Sequence, residues 1–320
     1  MRALQQIQNK WQWSEGADEP RLAAGQVKIA VHYAAMNRAD LMQMAGQYPP
    51  PPGASEIPGL EVSGEVIATA DDVVDVKVGE KVAALLEGGG YAEYVCVDVR
   101  QVVKVPETWS MAHAAGWLEV FSTAFLNVFM LAQLQPQEKV FCHAGASGVG
   151  SALIQLCRAA GNDIAVTVSN DEKAAVCREL GASEIINRHQ QDYTEVLSQK
   201  PVDVILNPVA GDSIARDQTI LNADGRILLI GLMQARTGEI DFGRLLMKRQ
   251  RLQGSTLRSL SHQRKGEIIA ALMQRFGEDF QSGALMPLID EIYPMREVGE
   301  ALNRLKQSAT MGKLILAVRS

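Results

Sequence analysis

The spacing of apolar and polar positions changes along the chain, and each change marks an element. Residues 27–33, VKIAVHY, alternate as a half-buried strand does. Residues 59–67 predict a second strand, and 79–83 and 91–95 further short ones between glycine turns. Asn37-Arg38-Ala39-Asp40 opens a short helix before the proline cluster at 49–52. Together these predict a small, strongly bent, mostly β domain. From Val140 the rhythm is different. The apolar run Val140-Phe141-Cys142 enters a loop of small residues, and Val149, Leu153, Ile154, Leu156 and Cys157 then recur at helical spacing. Further apolar runs at 164–168, 202–206 and 226–231, alternating with helical stretches, predict a parallel, doubly wound α/β sheet that binds ligands at the carboxyl ends of its strands. Residues 251–259 read as its last strand. Val298, Ala301, Leu302 and Leu305 mark an amphipathic helix, and 313–318 a strand that returns the chain to the first domain. The expected division is therefore 1–118 with 260–320, a β-rich domain, and 119–259, a dinucleotide-type domain.

The loop 143–150, HAGASGVG, joins a strand to a helix. Such a turn gathers backbone N–H groups and the positive end of a helix at one point, which suits a pyrophosphate. In the dinucleotide fingerprint one glycine makes the turn, a second admits the phosphates and a third lets helix and strand pack closely. Gly145, Ser147 and Gly150 hold those places, with Gly148 extra, so the second position departs from glycine. A nucleophile elbow, GxSxG, fails at Val149, where glycine is required. A purely structural turn remains the plain alternative.

With 47% hydrophobic and 21% charged residues, the 320-residue chain can build full cores. A net charge of −6 and no long basic run argue against a nucleic-acid or anionic-membrane binder. The N-terminus lacks the basic and apolar regions of a signal peptide, and no apolar stretch reaches spanning length, so a cytoplasmic protein is expected. Cys96, Cys142, Cys157 and Cys177 are scattered without CxxC pairs and read as buried thiols rather than metal ligands.

Several longer motifs now occur in order: NRADLMQMAGQYPPPPGAS, PGLEVSGEV, VGEKVAAL, GGGYAEY, HAGASGVG, EKAAVCRELGA, DGRILLIGLM, GSTLRS and GKLIL. Over essentially its whole length the chain resembles the zinc-free quinone oxidoreductase (zeta-crystallin-like) branch of the medium-chain dehydrogenase/reductase superfamily. The resemblance implies a GroES-like catalytic domain beside a Rossmann domain, and an NADPH-dependent quinone oxidoreductase that forms a homodimer through the last Rossmann strand. Zinc-dependent relatives carry a cysteine where this chain has Asn37, and a GHE element that reads Gly59-Leu60-Glu61 here, so no metal is expected. Without a Lewis acid, acceptors that take hydride readily, quinones or conjugated enones, are favoured.

The resemblance places Asn37, Tyr48 and Thr123, with Ser147, at the reaction pocket. Trp117, Phe121 and Phe125 read as helix core and pocket wall. Besides Gly145 and Ser147 to Gly150 (Ser147, Gly148, Val149, Gly150), the expected cofactor contacts are Ser169, Asn170, Lys173, Arg188, Gly231, Leu257 and Arg258. An acid that would bind a ribose 2′-hydroxyl is missing at Ser169-Asn170, and Lys173 and Arg188 suit a 2′-phosphate, which favours NADPH. Asn207 to Gly211 departs from the family's usual DxxGG. No histidine, cysteine or carboxylate reads as an essential proton donor, and His143 reads as packing at the turn. A reductase of activated C=C bonds in enals or enones fits the same scaffold. So does an NADPH-binding protein with a structural or regulatory role.

Overall fold

The computed structural model describes residues 1–8 and 10–319. The chain divides into two compact units, Met1–Ser122 with Leu257–Ser320, and Thr123–Thr256.

In the second unit, six parallel strands lie in the order Glu184–Asn187, Ile164–Val168, Val140–Cys142, Val202–Asn207, Leu221–Leu229, Arg251–Gly254. Numbered along the chain, this is 3-2-1-4-5-6, the doubly wound order. It reverses between Val140–Cys142 and Val202–Asn207, and the crevice at such a reversal is where these sheets take ligands. The central strands are buried on both faces, which is why they read as continuous apolar runs rather than alternating ones. Phe141, Ile205, Ile214, Leu221 and Ile227 belong to the core beneath them. The last strand ends at Gly254, short of the 251–259 run read from sequence. Its partner strand Leu221–Leu229 ends there, and Ser255 N–H, donating to the Leu229 carbonyl at 3.0 Å, closes the pairing. Phe125, read as pocket wall, stacks on Phe129 with ring centroids 5.5 Å apart.

The first unit is built on a seven-stranded, largely antiparallel sheet. Its ten-residue strand Gln26–Ala35 pairs with Glu61–Thr69, Tyr94–Asp98 and Lys313–Ala317, and shifts register at two places against Glu61–Thr69. Those irregularities bend the strand and allow a small sheet to curl round its own core. Close approach helps as well: a Cβ on Gly64 would lie 2.1 Å from the Ala30 carbonyl oxygen. The core joins Leu4, Val27, Ile29, Val62, Val82, Tyr91, Leu314 and Leu316. The helix His262–Ser282 seals a second apolar site, where Phe280 packs 5.0 Å from both Trp117 and Phe121. Among the described residues, no helix is long and apolar enough to cross a membrane.

Candidate functional site

In the Thr123–Thr256 unit, the loop after Val140–Cys142 passes through Ala144 in the left-handed region at φ 57° and leads into the helix Gly148–Ala160. Two of its glycines are required by space. A Cβ on Gly145 would lie 2.6 Å from Val166 Cβ on the neighbouring strand. One on Gly150 would lie 2.5 Å from the Ala144 carbonyl oxygen and 2.6 Å from that of Gly145. Those contacts hold the helix start close over the strand end. Ser147 is the helix N-cap, its hydroxyl accepting from Gly150 N–H at 3.1 Å. The residue that the fingerprint assigns to close approach thus also closes the helix turn, a cap that Ser supplies and Gly cannot. The first N–H groups of any helix lack intrahelical acceptors, and here they open at the carboxyl ends of the sheet. The loop is chemically suited to a dinucleotide pyrophosphate.

At the end of the adjacent strand, Ser169 is partly exposed and Asn170 caps the helix Asp171–Leu180, its side chain accepting from Lys173 N–H at 2.9 Å. Arg188 N–H donates to the Val168 carbonyl at 3.0 Å, which sets the exposed Arg188 side chain on the neighbouring strand end. Asp171 and Glu172 lie in the first helical turn, where acids are favourable. Gly231 follows Leu221–Leu229 and packs against the next loop: a Cβ there would lie 2.8 Å from the Pro208 carbonyl oxygen.

Asn207, at the departure from DxxGG, accepts from the N–H groups of Val209 and Ala210 and donates to Asp217 at 2.6 Å. Asp217, fully buried, also lies 2.9 Å from His143 Nε2 and accepts from the Tyr193 hydroxyl at 2.9 Å. The missing acid of that motif is therefore supplied ten residues later in the chain, and the loop stays braced. His143 packs at the turn within this network. The Cys142 thiol, and that of Cys177 at about 12, are pushed up by burial, which keeps both inert at neutral pH.

In the Met1–Ser122 and Leu257–Ser320 unit, Asn37 precedes the helix Arg38–Met44, and its N–H donates to Asp40 at 2.7 Å. Its side chain is engaged at both ends: Oδ1 accepts from Lys313 Nζ at 2.6 Å and Nδ2 donates to Glu61 at 3.2 Å. Lys313 also pairs with Glu61 at 2.8 Å, both side chains being almost wholly buried. Asp40, fully buried, accepts from the Tyr91 hydroxyl at 2.7 Å and from Gly59 N–H at 3.2 Å. Burial raises its carboxyl pKa against these bonds, and raises that of Tyr91 as well. Glu119 joins through its backbone N–H, which donates to Glu61 at 3.0 Å.

The sequence singles out Asn37 as a candidate but not Asp40, Tyr91, Glu119 and Lys313, which share its cluster. The signal lay in motifs already visible, NRAD, GGGY and GKLIL. Among the described residues, no group of three or more His, Cys, Asp and Glu side chains is placed to hold a metal ion. The position that carries zinc ligands in relatives does not suit zinc here. Asn37 offers an amide oxygen, and an ammonium group already occupies it.

Tyr48 is held through its backbone. Arg258 lies across its ring at 5.3 Å and donates to the Tyr48 carbonyl at 3.2 Å, the Glu87 carbonyl at 2.7 Å and Gln43 Oε1 at 2.7 Å. Arg258, expected among the cofactor contacts, thus spends its guanidinium inside this unit, where Leu257 is buried too. Thr123 belongs to the other unit, its carbonyl accepting from Asn127 Nδ2 at 2.8 Å.

Known proteins give the same outline. The zinc-binding dehydrogenase family matches residues 148–274, and the alcohol dehydrogenase GroES-like domain residues 23–107. The human synaptic vesicle membrane protein VAT-1 homolog is 28% identical over 322 residues, spanning 95% of this chain and 81% of its own. The quinone oxidoreductase of Thermus thermophilus, solved also as its complex with NADPH, superposes with a TM-score of 0.84 at 28% identity, over 99% of this chain and all of that one. The CurK enoyl reductase superposes with a TM-score of 0.83 at 25% identity, over 99% and 98% of the two chains. The chain belongs to the medium-chain dehydrogenase/reductase superfamily of oxidoreductases, in its quinone oxidoreductase (zeta-crystallin-like) branch.

Proposed function

We propose that this protein is an NADPH-dependent quinone oxidoreductase that works without a metal. The observation that carries the reading is the cradle at the sheet's reversal point, where Gly145 and Gly150 leave no space for a Cβ and the Gly148–Ala160 helix opens its first turn. The dinucleotide held there would supply the hydride. The protein's share is to bind the pyrophosphate at Gly145 to Gly150, to orient the acceptor and to exclude water. Likeness to the Thermus enzyme supports a quinone as acceptor. Likeness to the enoyl reductase supports a second reading, reduction of conjugated C=C bonds on the same scaffold. Oxidation rates of NADPH and NADH with a panel of naphthoquinones, enals and enones, before and after exhaustive chelation, decide among them. Quinone turnover that survives chelation is expected. Tight NADPH binding without turnover of any acceptor would replace it with a structural or regulatory role.

Cofactor preference rests on Ser169, Lys173 and Arg188 in place of an acid. Charge-assisted bonds contribute ~1.5–3 kcal/mol each, so Arg188→Ala should raise the NADPH Kd roughly tenfold or more and leave that for NADH nearly unchanged. Equal losses for both cofactors, measured by fluorescence titration, would remove Arg188 from the 2′-phosphate site.

The edge strand Arg251–Gly254 supports a homodimer. Its four residues are all exposed, and beside it the helix Phe242–Met247 buries none of its residues. Phe242, Leu246 and Met247 are each more than 70% exposed. A second copy pairing edge to edge would cover both the strand and this apolar surface. Met247→Asp should halve the sedimenting mass at micromolar concentration; an unchanged mass would place the interface elsewhere.

A further inference from the structure

We propose that Asp217 is a positioning residue that clamps together the two loops flanking the crevice of the Thr123–Thr256 sheet, and that this clamp sets the affinity for the dinucleotide. The inference rests on the cofactor reading above and names a residue that acts on that site through others. The crevice opens where the strand order reverses, between Val140–Cys142 and Val202–Asn207. The two strands pair as far as Cys142 and Leu206, and the next backbone bond, from His143 N–H to the Leu206 carbonyl, is already stretched to 3.4 Å. Beyond it a side chain joins the loops.

Asp217 reaches both from the helix Ser213–Ile220. Its Oδ1 lies 2.9 Å from Nε2 of His143, the first residue after one strand. Its Oδ2 accepts at 2.6 Å from Nδ2 of Asn207, the last residue of the other. The Tyr193 hydroxyl donates to Oδ1 at 2.9 Å from the start of the helix Tyr193–Ser198. Asp217 and Asn207 are wholly buried and His143 nearly so, and a low local dielectric strengthens bonds of this kind. With Asn207 and Tyr193 donating, the carboxylate accepts throughout, and the hydrogen of the third bond belongs to His143 Nε2.

Each residue held in this way adjoins a strained one. Ala144 follows His143 at φ 57°, and Ala210 lies in the loop after Asn207 at φ 61°. Alanine disfavours this left-handed region and keeps it only where the surroundings impose it. On one side, the Ala144 carbonyl is the surface on which Gly150 and the helix start rest. On the other, Asn207 Oδ1 accepts from the N–H groups of Val209 and Ala210 at 2.7 and 2.8 Å. The Asn207 amide also donates to Ser213 Oγ at 2.9 Å, and that hydroxyl donates to the Ala210 carbonyl at 2.7 Å. One buried carboxylate thus holds the glycine-rich turn and its neighbouring loop in place together.

Asp217→Asn keeps the shape and leaves the clamp mismatched. With the amide oxygen turned to Asn207, the NH2 group meets His143 and Tyr193; turned the other way, NH2 meets NH2. Losing one charge-assisted bond lowers the population of ordered loops about tenfold, and the apparent Kd should rise by about that factor for NADPH and NADH alike. The reciprocal variant Asn207→Asp/Asp217→Asn gives every donor an acceptor again. The carboxylate, now at position 207, still accepts from Val209 and Ala210, while the amide at 217 donates to it and accepts from His143 and Tyr193. It should recover most of the lost affinity. Asn162→Ala strips two bonds, to the Gln135 and Glu138 carbonyls, at the opposite end of the same sheet. It should lower the urea midpoint and leave both Kd values unchanged, which separates positioning from stability. Hydrogen exchange of the cofactor-free protein reads the clamp apart from binding. At least one of the peptides 143–150 and 207–211 should exchange faster in Asp217→Asn, and both should return to the wild-type rate in the reciprocal variant. Unchanged Kd values or unchanged exchange in Asp217→Asn would overturn the proposal. So would a reciprocal variant no better than the single one, or an equal Kd rise in Asn162→Ala. A wild-type protein that binds neither dinucleotide, with the exchange result as expected, would instead bring down the cofactor reading on which the proposal depends.

Discussion

Gly150→Ala should abolish dinucleotide binding in a protein that still folds. The added methyl would meet the Ala144 carbonyl oxygen at 2.5 Å, the Gly145 carbonyl oxygen at 2.6 Å and the Gly145 carbonyl carbon at 2.8 Å. All three are backbone atoms, so no side chain can rotate away. The loop and the helix start must separate, which displaces the N–H groups of the first helical turn, where we propose the pyrophosphate sits. A shift of about 1 Å at a binding constellation costs on the order of a hundredfold in turnover. Nicotinamide fluorescence titration should show the loss of binding. Circular dichroism should stay that of the native chain, because the clash is confined to one turn. Two controls separate site from scaffold. Gly299→Ala, with nothing within 4 Å of the new Cβ, should leave binding intact. Ser147→Gly gives up the hydroxyl on Gly150 N–H and should cost at most ~0.5–1.5 kcal/mol. If Gly150→Ala binds NADPH as tightly as wild type, the pyrophosphate is not held in this loop.

Lys313→Met should destabilise the first unit by ~3–5 kcal/mol, the usual cost of leaving one member of a buried ion pair alone. Lys313 supplies the ammonium partner of Glu61 at 2.8 Å and also donates to Asn37 Oδ1 and the Met36 carbonyl at 2.6 and 2.7 Å. Removing it strands a buried carboxylate and two acceptors together. Urea unfolding followed by tryptophan fluorescence measures the effect in the right place, because Trp11, Trp13, Trp109 and Trp117 all belong to this unit. The double variant Lys313→Met/Glu61→Leu should recover a large part of the loss, since an apolar pair of similar volume commonly matches a buried ion pair. A midpoint shift too small to resolve in the single variant would mean that Glu61 is neutral in the folded protein and that Asn37 is held by other contacts.

The glycine cradle and the alternation of strands and helices were legible in the sequence because they are local. The strand-loop-helix pattern around 143–150 spans one supersecondary unit, and each residue's task there is fixed by neighbours within a few positions. Apolar periodicity likewise exposed the parallel sheet, whose central strands are buried on both faces. The end of the last strand was not legible, because it is set by where a partner strand 25 or more residues away stops.

The polar cluster of the first unit depended on tertiary structure altogether. Asn37 and Lys313 are 276 positions apart and Tyr91 is 51 from Asp40, so only the strand pairings of Gln26–Ala35 bring them together. Arg258 shows the same limit from the other side. Its motif could be recognised in the chain, but the direction of its guanidinium follows from what is buried around it, here Tyr48, Glu87 and Gln43. Glu119 reads along the chain as an ordinary acid in a helix's first turn. Its value as an acid is set by desolvation and by Glu61, and those are properties of neighbours in space. Sequence alone therefore determined the fold and the glycine-rich strand-to-helix turn, where local spacing carries the information, while the tertiary structure decided which charges share a low-dielectric site, since burial and through-space fields have no period along a chain.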